Sequence, residues 1–255
     1  NLFCSCLTHM SKEKLNALVT GSSRGIGFAI AKEFTANGYK VILNGRDENS
    51  LKRASKELNT NYFLGDVSDP QIAKKMVNYC VSEFGDLNAL VCNVGSGKSL
   101  QPGKENNEEW KKMFDVNFLS TTNVIESSVK TLSKTKGSIV CISSICGVKP
   151  INSAPVTYSV SKAALNFYVH AYSKYLGTKG VRINSVALGN IQFPGSTWEE
   201  KLKKNKKQVE DMLKNEVALT KFGNTDDASK TVFFLSSDEA KFITGATLIA
   251  DGGQV

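Results

Sequence analysis

The chain has 255 residues, of which 41% are apolar and 22% charged, with only 5 prolines; these proportions exclude a disordered, collagen-like or proline-rich chain. At this length roughly 70–75% of the extended surface becomes buried, enough for a core without disulfides or metal. Lys and Arg outnumber Asp and Glu by 32 to 24, a net charge of +8 that favours anionic partners, and no run approaches the ~18 apolar residues of a membrane span.

Residues 1–9 (NLFCSCLTH) lack the basic start and long apolar stretch of a secretory signal, and read as a disordered leader before Met10. The first strand, Asn16–Thr20, runs into Gly21-Ser22-Ser23-Arg24-Gly25-Ile26-Gly27. Ile26, Ile30 and Phe34 then recur at helical spacing. A glycine-rich turn between a first strand and a first helix lets the backbone approach a pyrophosphate, which the free N–H groups and dipole of the helix start then face.

The second strand, Lys40–Leu43, ends Asn44-Gly45-Arg46. A carboxylate at this corner accepts hydrogen bonds from a free ribose 2′-hydroxyl and repels a 2′-phosphate. Gly45 stands in its place, and Arg46 with Arg24 brackets the corner as two guanidinium groups suited to a phosphate dianion. The expected cofactor is therefore NADP(H) rather than NAD(H); the alternative for Arg46 is a surface pair with Asp47 or Glu48.

The third strand, Asn61–Leu64, leads to Asp66-Val67, and Ile72, Met76, Val77 and Cys80 mark a helix after it. Strand four, Asn88–Cys92, leads to Asn93-Val94-Gly95-Ser96-Gly97-Lys98, and Asn117 lies in a later helical stretch. Strand five, Ser138–Ser143, is followed by Ser144; Tyr158 and Lys162 then stand one helical turn apart, on a shared face. Strand six, Arg182–Val186, leads to Leu188-Gly189-Asn190-Ile191. From Pro194 to Val217 an apolar stripe of Trp198, Leu202, Val209, Met212, Leu213 and Val217 suggests a cover over a ligand or a helix packed permanently on the body, while Lys201–Lys214 reads as a solvated helix face. Strand seven is Thr247–Ala250. Strands alternating with helices imply parallel pairing through right-handed crossovers. Strands apolar on both sides of the alternation imply a sheet covered on both faces. No linker divides residues 10–255, so they are expected to form one domain.

A carbonyl that accepts hydride becomes an alkoxide, so it needs a proton donor and electrophilic stabilisation. Tyr158 is the candidate donor. A free phenol ionises near pH 10, and bringing it to about 7 takes roughly 4 kcal/mol, which a desolvated Lys162 and an oxidised nicotinamide together supply. Cys80, Cys92 and Cys141 lie in apolar runs and read as buried hydrophobes of a reducing, cytoplasmic protein. With no CxxC pair and with His9 and His170 apart, no metal site is expected. The basic run lacks interleaved aromatics or a reading motif, so no nucleic-acid partner is expected either.

These motifs together resemble the short-chain dehydrogenase/reductase family from about Leu15 to the C-terminus. The resemblance implies an α/β fold: one Rossmann-like, doubly wound domain with a seven-stranded parallel sheet flanked by helices on both faces. It implies hydride transfer between NADP(H) and a carbonyl or secondary alcohol, with a 3-oxoacyl-carrier-protein ketoreductase foremost. A sugar or nucleotide-sugar dehydrogenase of a surface-glycan pathway is the alternative, and a non-catalytic NADP-binding sensor a remote one. By resemblance Tyr158 is the acid/base, Lys162 its charged partner, Ser144 the holder of the substrate oxygen, and Asn117 the holder of a water beside Lys162. The same resemblance gives cofactor contacts to Gly21, Ser23, Arg24, Gly25, Ile26, Gly27, Arg46, Asp66 and Val67 at the adenine end. Asn93, Gly95, Tyr158, Lys162, Gly189 and Ile191 complete the set. Ile243-Thr244-Gly245 and Asp251-Gly252-Gly253 complete the likeness.

Two departures stand out. Leu188 and Phe193 replace a family Pro and Thr, with Ser196 or Thr197 as substitutes for the lost side-chain contact. Gly97 and Lys98 fall at the mouth of the expected site, where Lys98 meets an acidic substrate or is merely solvated. The implied partners are a small carbonyl or alcohol substrate, acidic or carrier-linked, and further copies of the chain. A homotetramer or homodimer would associate through helices at about Glu108–Ser133 and Val156–Gly177, the latter with small residues Ser159, Ala163 and Ala164.

Overall fold

A computed structural model of the protein describes residues 15–152 and 154–255; the expected leader at 1–9 lies outside the described residues. Seven strands form a fully parallel sheet: β1 Asn16–Val19, β2 Lys40–Gly45, β3 Asn61–Leu64, β4 Ala89–Cys92, β5 Ser138–Ser144, β6 Arg182–Leu188 and β7 Thr247–Ala250. Their spatial order is β3-β2-β1-β4-β5-β6-β7. The helices are α1 Gly25–Ala36, α2 Glu48–Leu58, α3 Pro70–Phe84, α4 Asn107–Phe114, α5 Ser120–Thr135, α6 Val156–Gly177, α7 Thr197–Lys204, α8 Lys206–Glu216 and α9 Thr225–Ser236. This is the doubly wound α/β architecture the alternating pattern called for.

Strand alternation divides the core in two. Ala17, Val19, Val41 and Leu43 point to the face covered by α1, α2 and α9. Leu18, Ile42, Leu90 and Ile139 point to the face covered by α3, α5 and α6. Full burial of each such side chain contributes about 1.5–3 kcal/mol, so register is firmly set: a slip of one residue would exchange the two faces. Cys80, Cys92 and Cys141 are buried in the second core, as their apolar surroundings implied.

The order reverses at β1, whose neighbours are β2 and β4. Chains leaving the two strands therefore diverge and open a crevice at the carboxyl edge. Loops following β1 to β6 all converge there.

Several elements differ from the expected ones. The helix expected across 108–133 is broken by a π-helical turn, Asp115–Leu119, between α4 and α5. One extra residue in that turn directs Asn117 inward, where its amide donates to Met113 O at 3.1 Å. β5 and β6 also run one and two residues longer than their apolar runs, because they stay paired as far as Ser144↔Leu188.

Candidate active site

The crevice is a continuous cleft of about 1500 Å³. Its floor is the glycine loop. Gly21 and Gly25 hold φ of +61° and +59°, in the left-handed region that favours glycine. A Cβ on Gly27 would stand 2.3 Å from Gly21 O. α1 begins at Gly25, and Arg24 before it makes no side-chain cap, so the first N–H groups of the helix face the cleft. Polar side chains, two of them buried, fix this loop from three sides. Asn93 Nδ2 donates to Thr20 O and Gly21 O at 3.1 and 2.9 Å. Thr20 Oγ1 accepts from the backbone N–H of Asn93 and Val94. Asn44 Oδ1 accepts from Gly21 N, and its amide donates to Phe63 O and Gly65 O. A tight backbone cradle at an uncapped helix start fits the pyrophosphate of a dinucleotide.

At one end, Ser23, Arg24, Ile26, Arg46, Asp66 and Val67 line the cleft. Arg46 does not pair with Asp47 or Glu48; its Nη1 lies 3.0 Å from Asp66 Oδ2, on the neighbouring loop. Burial works against ionisation of Asp66, but bonds from the Ser68 hydroxyl and N–H, with the Arg46 guanidinium, hold its carboxyl below the usual range. No carboxylate stands at position 45, where a Cβ would already press within 3.3 Å of Ser23 Oγ.

At the other end, β5 delivers Ser144 and α6 delivers Tyr158 and Lys162 to one wall of the cleft. Ser144 Oγ accepts from Cys146 N at 3.2 Å, and its hydroxyl works against the upward shift of the Tyr158 phenol. Lys162 Nζ donates to Ile142 O at 2.8 Å. Asn117 Oδ1 accepts from Ser96 N at 2.9 Å, and its amide donates back to Ser96 O at 3.1 Å. Gly95 fits between these groups, since a Cβ there would stand 3.0 Å from both Asn117 Oδ1 and Lys162 Nζ.

Burial pushes the Tyr158 phenol up to about 12, against the pull of the Ser144 hydroxyl. Burial likewise lowers the Lys162 ammonium to about 8, opposed by the Cys141 and Cys92 thiols beside it. An acidic Tyr158 thus requires a further positive charge in the cleft.

The ring in place of the expected Thr, Phe193, folds back over the glycine loop, where a Cβ on Gly25 would meet its Cε2 at 2.6 Å. Ser196 is no free substitute, because its Oγ caps α7 by accepting from Glu199 N and also takes Phe193 N. Thr197 lines the cleft. Gly189 packs against Asp251, and Ile191 is bridged to Gly223. Lys98 reaches across the mouth to Glu200 on α7 at 3.6 Å. Val209, Leu213 and Val217 of the stripe are buried as a separate small core with Trp198, Leu202, Met212 and Phe222. Sequence reading passed over Thr20, Asn44 and Cys146; the first two were visible as polar residues closing apolar runs.

A family model described as Enoyl-(Acyl carrier protein) reductase matches residues 21–254. The chain belongs to the short-chain dehydrogenase/reductase family. Among curated members of the family, it is 32% identical over 248 residues to 3-oxoacyl-acyl-carrier-protein reductase FabG of Chlamydia muridarum, covering 93% of this chain and 96% of that protein. Identity to the Staphylococcus aureus FabG is 29% over 245 residues, covering 93% and 97%. Among solved short-chain dehydrogenase/reductases, L-sorbose reductase of Gluconobacter frateurii, complexed with NADPH and L-sorbose, superposes with a TM-score of 0.88 at 26% identity, covering 95% of this chain and 97% of that one. A Pseudomonas aeruginosa short chain oxidoreductase shares the fold at a TM-score of 0.89 and 24% identity, covering 95% and 98%. This member of the family is an oxidoreductase with the tyrosine, lysine, serine and asparagine gathered at one end of its cleft. Among the described residues, no helix is long and apolar enough to cross a membrane, and no cluster of three or more His, Cys, Asp or Glu is placed to hold a metal ion.

Proposed function

We propose that the protein is an NADP(H)-dependent reductase of 3-oxoacyl thioesters, carried on an acyl carrier protein. The observation that carries this reading is the meeting of the Ser144 and Tyr158 hydroxyls on one wall, with buried Lys162 behind them. When bound, NADPH supplies the hydride. Ser144 and Tyr158 hold the carbonyl oxygen between them, and Tyr158 Oη gives its proton as the alkoxide develops. The Lys162 charge stabilises the phenolate left behind, and Asn117 holds a water beside Lys162 that connects this corner to solvent. Arg24 and Arg46 take the 2′-phosphate, Asp66 and Val67 the adenine, and Gly189 and Ile191 the nicotinamide amide.

The FabG relatives support a carrier-linked substrate, and a positively charged protein suits an acidic carrier. Residues 10–255 act as one unit, with 194–217 as a cover over the substrate. The exposed apolar residues of α6, Val160 at 41% and Phe167 at 73%, support association into a homodimer or homotetramer. The place of action is the cytoplasm.

The test is NADPH consumption by the purified protein with acetoacetyl, crotonyl and keto-sugar substrates. The acetoacetyl thioester is the expected substrate, and Tyr158→Phe is expected to lose roughly 10²–10⁴ of the rate while still binding NADPH. Preference for the crotonyl thioester or a keto-sugar, or a Tyr158→Phe variant with a tenth of the parent rate, would overturn the reading.

A further inference from the structure

Glycines line the cleft from end to end, and the fold accounts for nearly all of them. Gly21 and Gly25 need positive φ. A Cβ on Gly27, Gly65, Gly95 or Gly189 would come within 2.3, 2.5, 3.0 or 2.7 Å of a neighbouring atom, and one on Gly45 within 3.3 Å. Gly97 is different. Its φ lies outside the left-handed region, and the nearest atom to a Cβ there is Tyr158 Cζ at 3.8 Å, followed by Cε1 at 3.9 Å and Cε2 at 4.0 Å. Those are ordinary van der Waals distances. Neither backbone conformation nor packing of the protein itself calls for glycine at this position.

The three ring atoms that this Cβ would face are the ones that surround the phenol oxygen. A side chain at 97 would therefore stand beside the hydroxyl, in the space a reacting carbonyl's own substituents must occupy. The separation is built rather than incidental, because the loop is tied on both sides of Gly97. Ser96 is clamped by both ends of the Asn117 amide, and Ser99 Oγ shares a hydrogen bond with Thr157 Oγ1 at 2.6 Å, on the residue before Tyr158.

We propose that Gly97 determines substrate bulk: the missing side chain leaves room over the hydroxyl end of Tyr158 for a substituent on the carbon next to the reacting carbonyl. The favoured class is a 3-oxo thioester branched at C2, in addition to the unbranched one. This rests on the assignment of Tyr158 as proton donor.

The test compares kcat/KM for the N-acetylcysteamine thioesters of acetoacetate and 2-methylacetoacetate in the parent, Gly97→Ala and Gly97→Val. The parent reduces both. Because one methylene in a pocket discriminates by about tenfold or more, Gly97→Val is expected to lower the branched-to-linear ratio about tenfold and Gly97→Ala by a smaller factor. The loss appears in substrate kinetics while NADPH affinity stays within about twofold, since uniform damage to the site would move both. An unchanged ratio in both variants, or a parent that reduces the linear substrate alone, overturns the gate and leaves the ketoreductase reading standing. A parent that reduces neither substrate overturns both. Should Gly97→Val fail to fold, the ratio in Gly97→Ala decides, its Cβ meeting no atom closer than 3.8 Å.

Discussion

On the proposed reading, Arg46 shares the choice of cofactor with Arg24 through an exposed side chain. It stands at the tip of β2 with Gly45 before it, and its guanidinium leans 3.0 Å from Asp66. The pair is open to water, with side-chain exposures of 72% and 42%, so it contributes only about 0–1 kcal/mol to stability. A dianionic 2′-phosphate competes well for that guanidinium, since a charge-assisted bond contributes about 1.5–3 kcal/mol, or roughly ten- to a hundredfold in affinity. Arg46→Ala is therefore expected to weaken NADPH binding by about tenfold or more while NADH binding and the melting temperature barely move. Fluorescence titration of both cofactors checks this, and equal weakening of the two would show that Arg46 does not read the phosphate. Arg46 as a phosphate candidate was legible in the sequence because it rests on two adjacent positions. Its pairing with Asp66 was not, because that depends on β2 and β3 lying side by side.

At the scale of elements, the same division holds. The seven strands were legible because a parallel sheet covered on both faces demands uninterrupted apolar runs. The π-helical turn was not, because it is stabilised by bonds from Asn117 to Ser96, twenty-one positions away. Helix ends show a third case. α9 ends in carbonyls with no partner within the helix, and Arg182 on β6 collects them: its guanidinium donates to Leu235 O at 2.7 Å, Ser236 O at 3.2 Å and Ser237 O at 3.0 Å. Read as sequence, Arg182 only opens a strand. Arg182→Met keeps the aliphatic stem but strands Leu235 O in a half-buried setting, while Ser236 O keeps the Ser138 hydroxyl and Ser237 O keeps Ala240 N, at a cost of about 1–3 kcal/mol. A lower urea midpoint with unchanged kcat/KM at low temperature is the expected result, and Arg182→Lys, with a single point charge, should fall between. Unchanged stability in Arg182→Met would mean that water satisfies the end of α9.

For the molecule as a whole, the cleft is where function and stability oppose each other. Both cores are apolar and continuous, yet at the carboxyl edge between β5 and α6 the fold encloses an ammonium group, Lys162, with one carbonyl as its hydrogen-bond partner. Burial lowers Lys162 to about 8 from its ordinary 10.5. The unfolded chain thus holds this proton more tightly than the folded one, so the group works against folding at low pH. Between about pH 8 and 10.5 the unfolded state binds one more proton than the native state, and stability from this group rises with pH. Below pH 8 the full penalty applies, about 3 kcal/mol at 1.36 kcal/mol per pH unit. Lys162→Met removes the charge and keeps the length of the stem. The variant is expected to be inactive and yet more stable than the parent at pH 7, by about 2–3 kcal/mol once the lost bond to Ile142 O is counted. Its advantage should shrink steadily as pH rises past 8. Denaturation curves for both proteins at pH 7 and pH 9.5 measure the sign directly: an advantage that grows with pH, or a destabilised variant at pH 7, would mean that Lys162 is held by partners favouring its charge and is not a desolvated cation kept for chemistry.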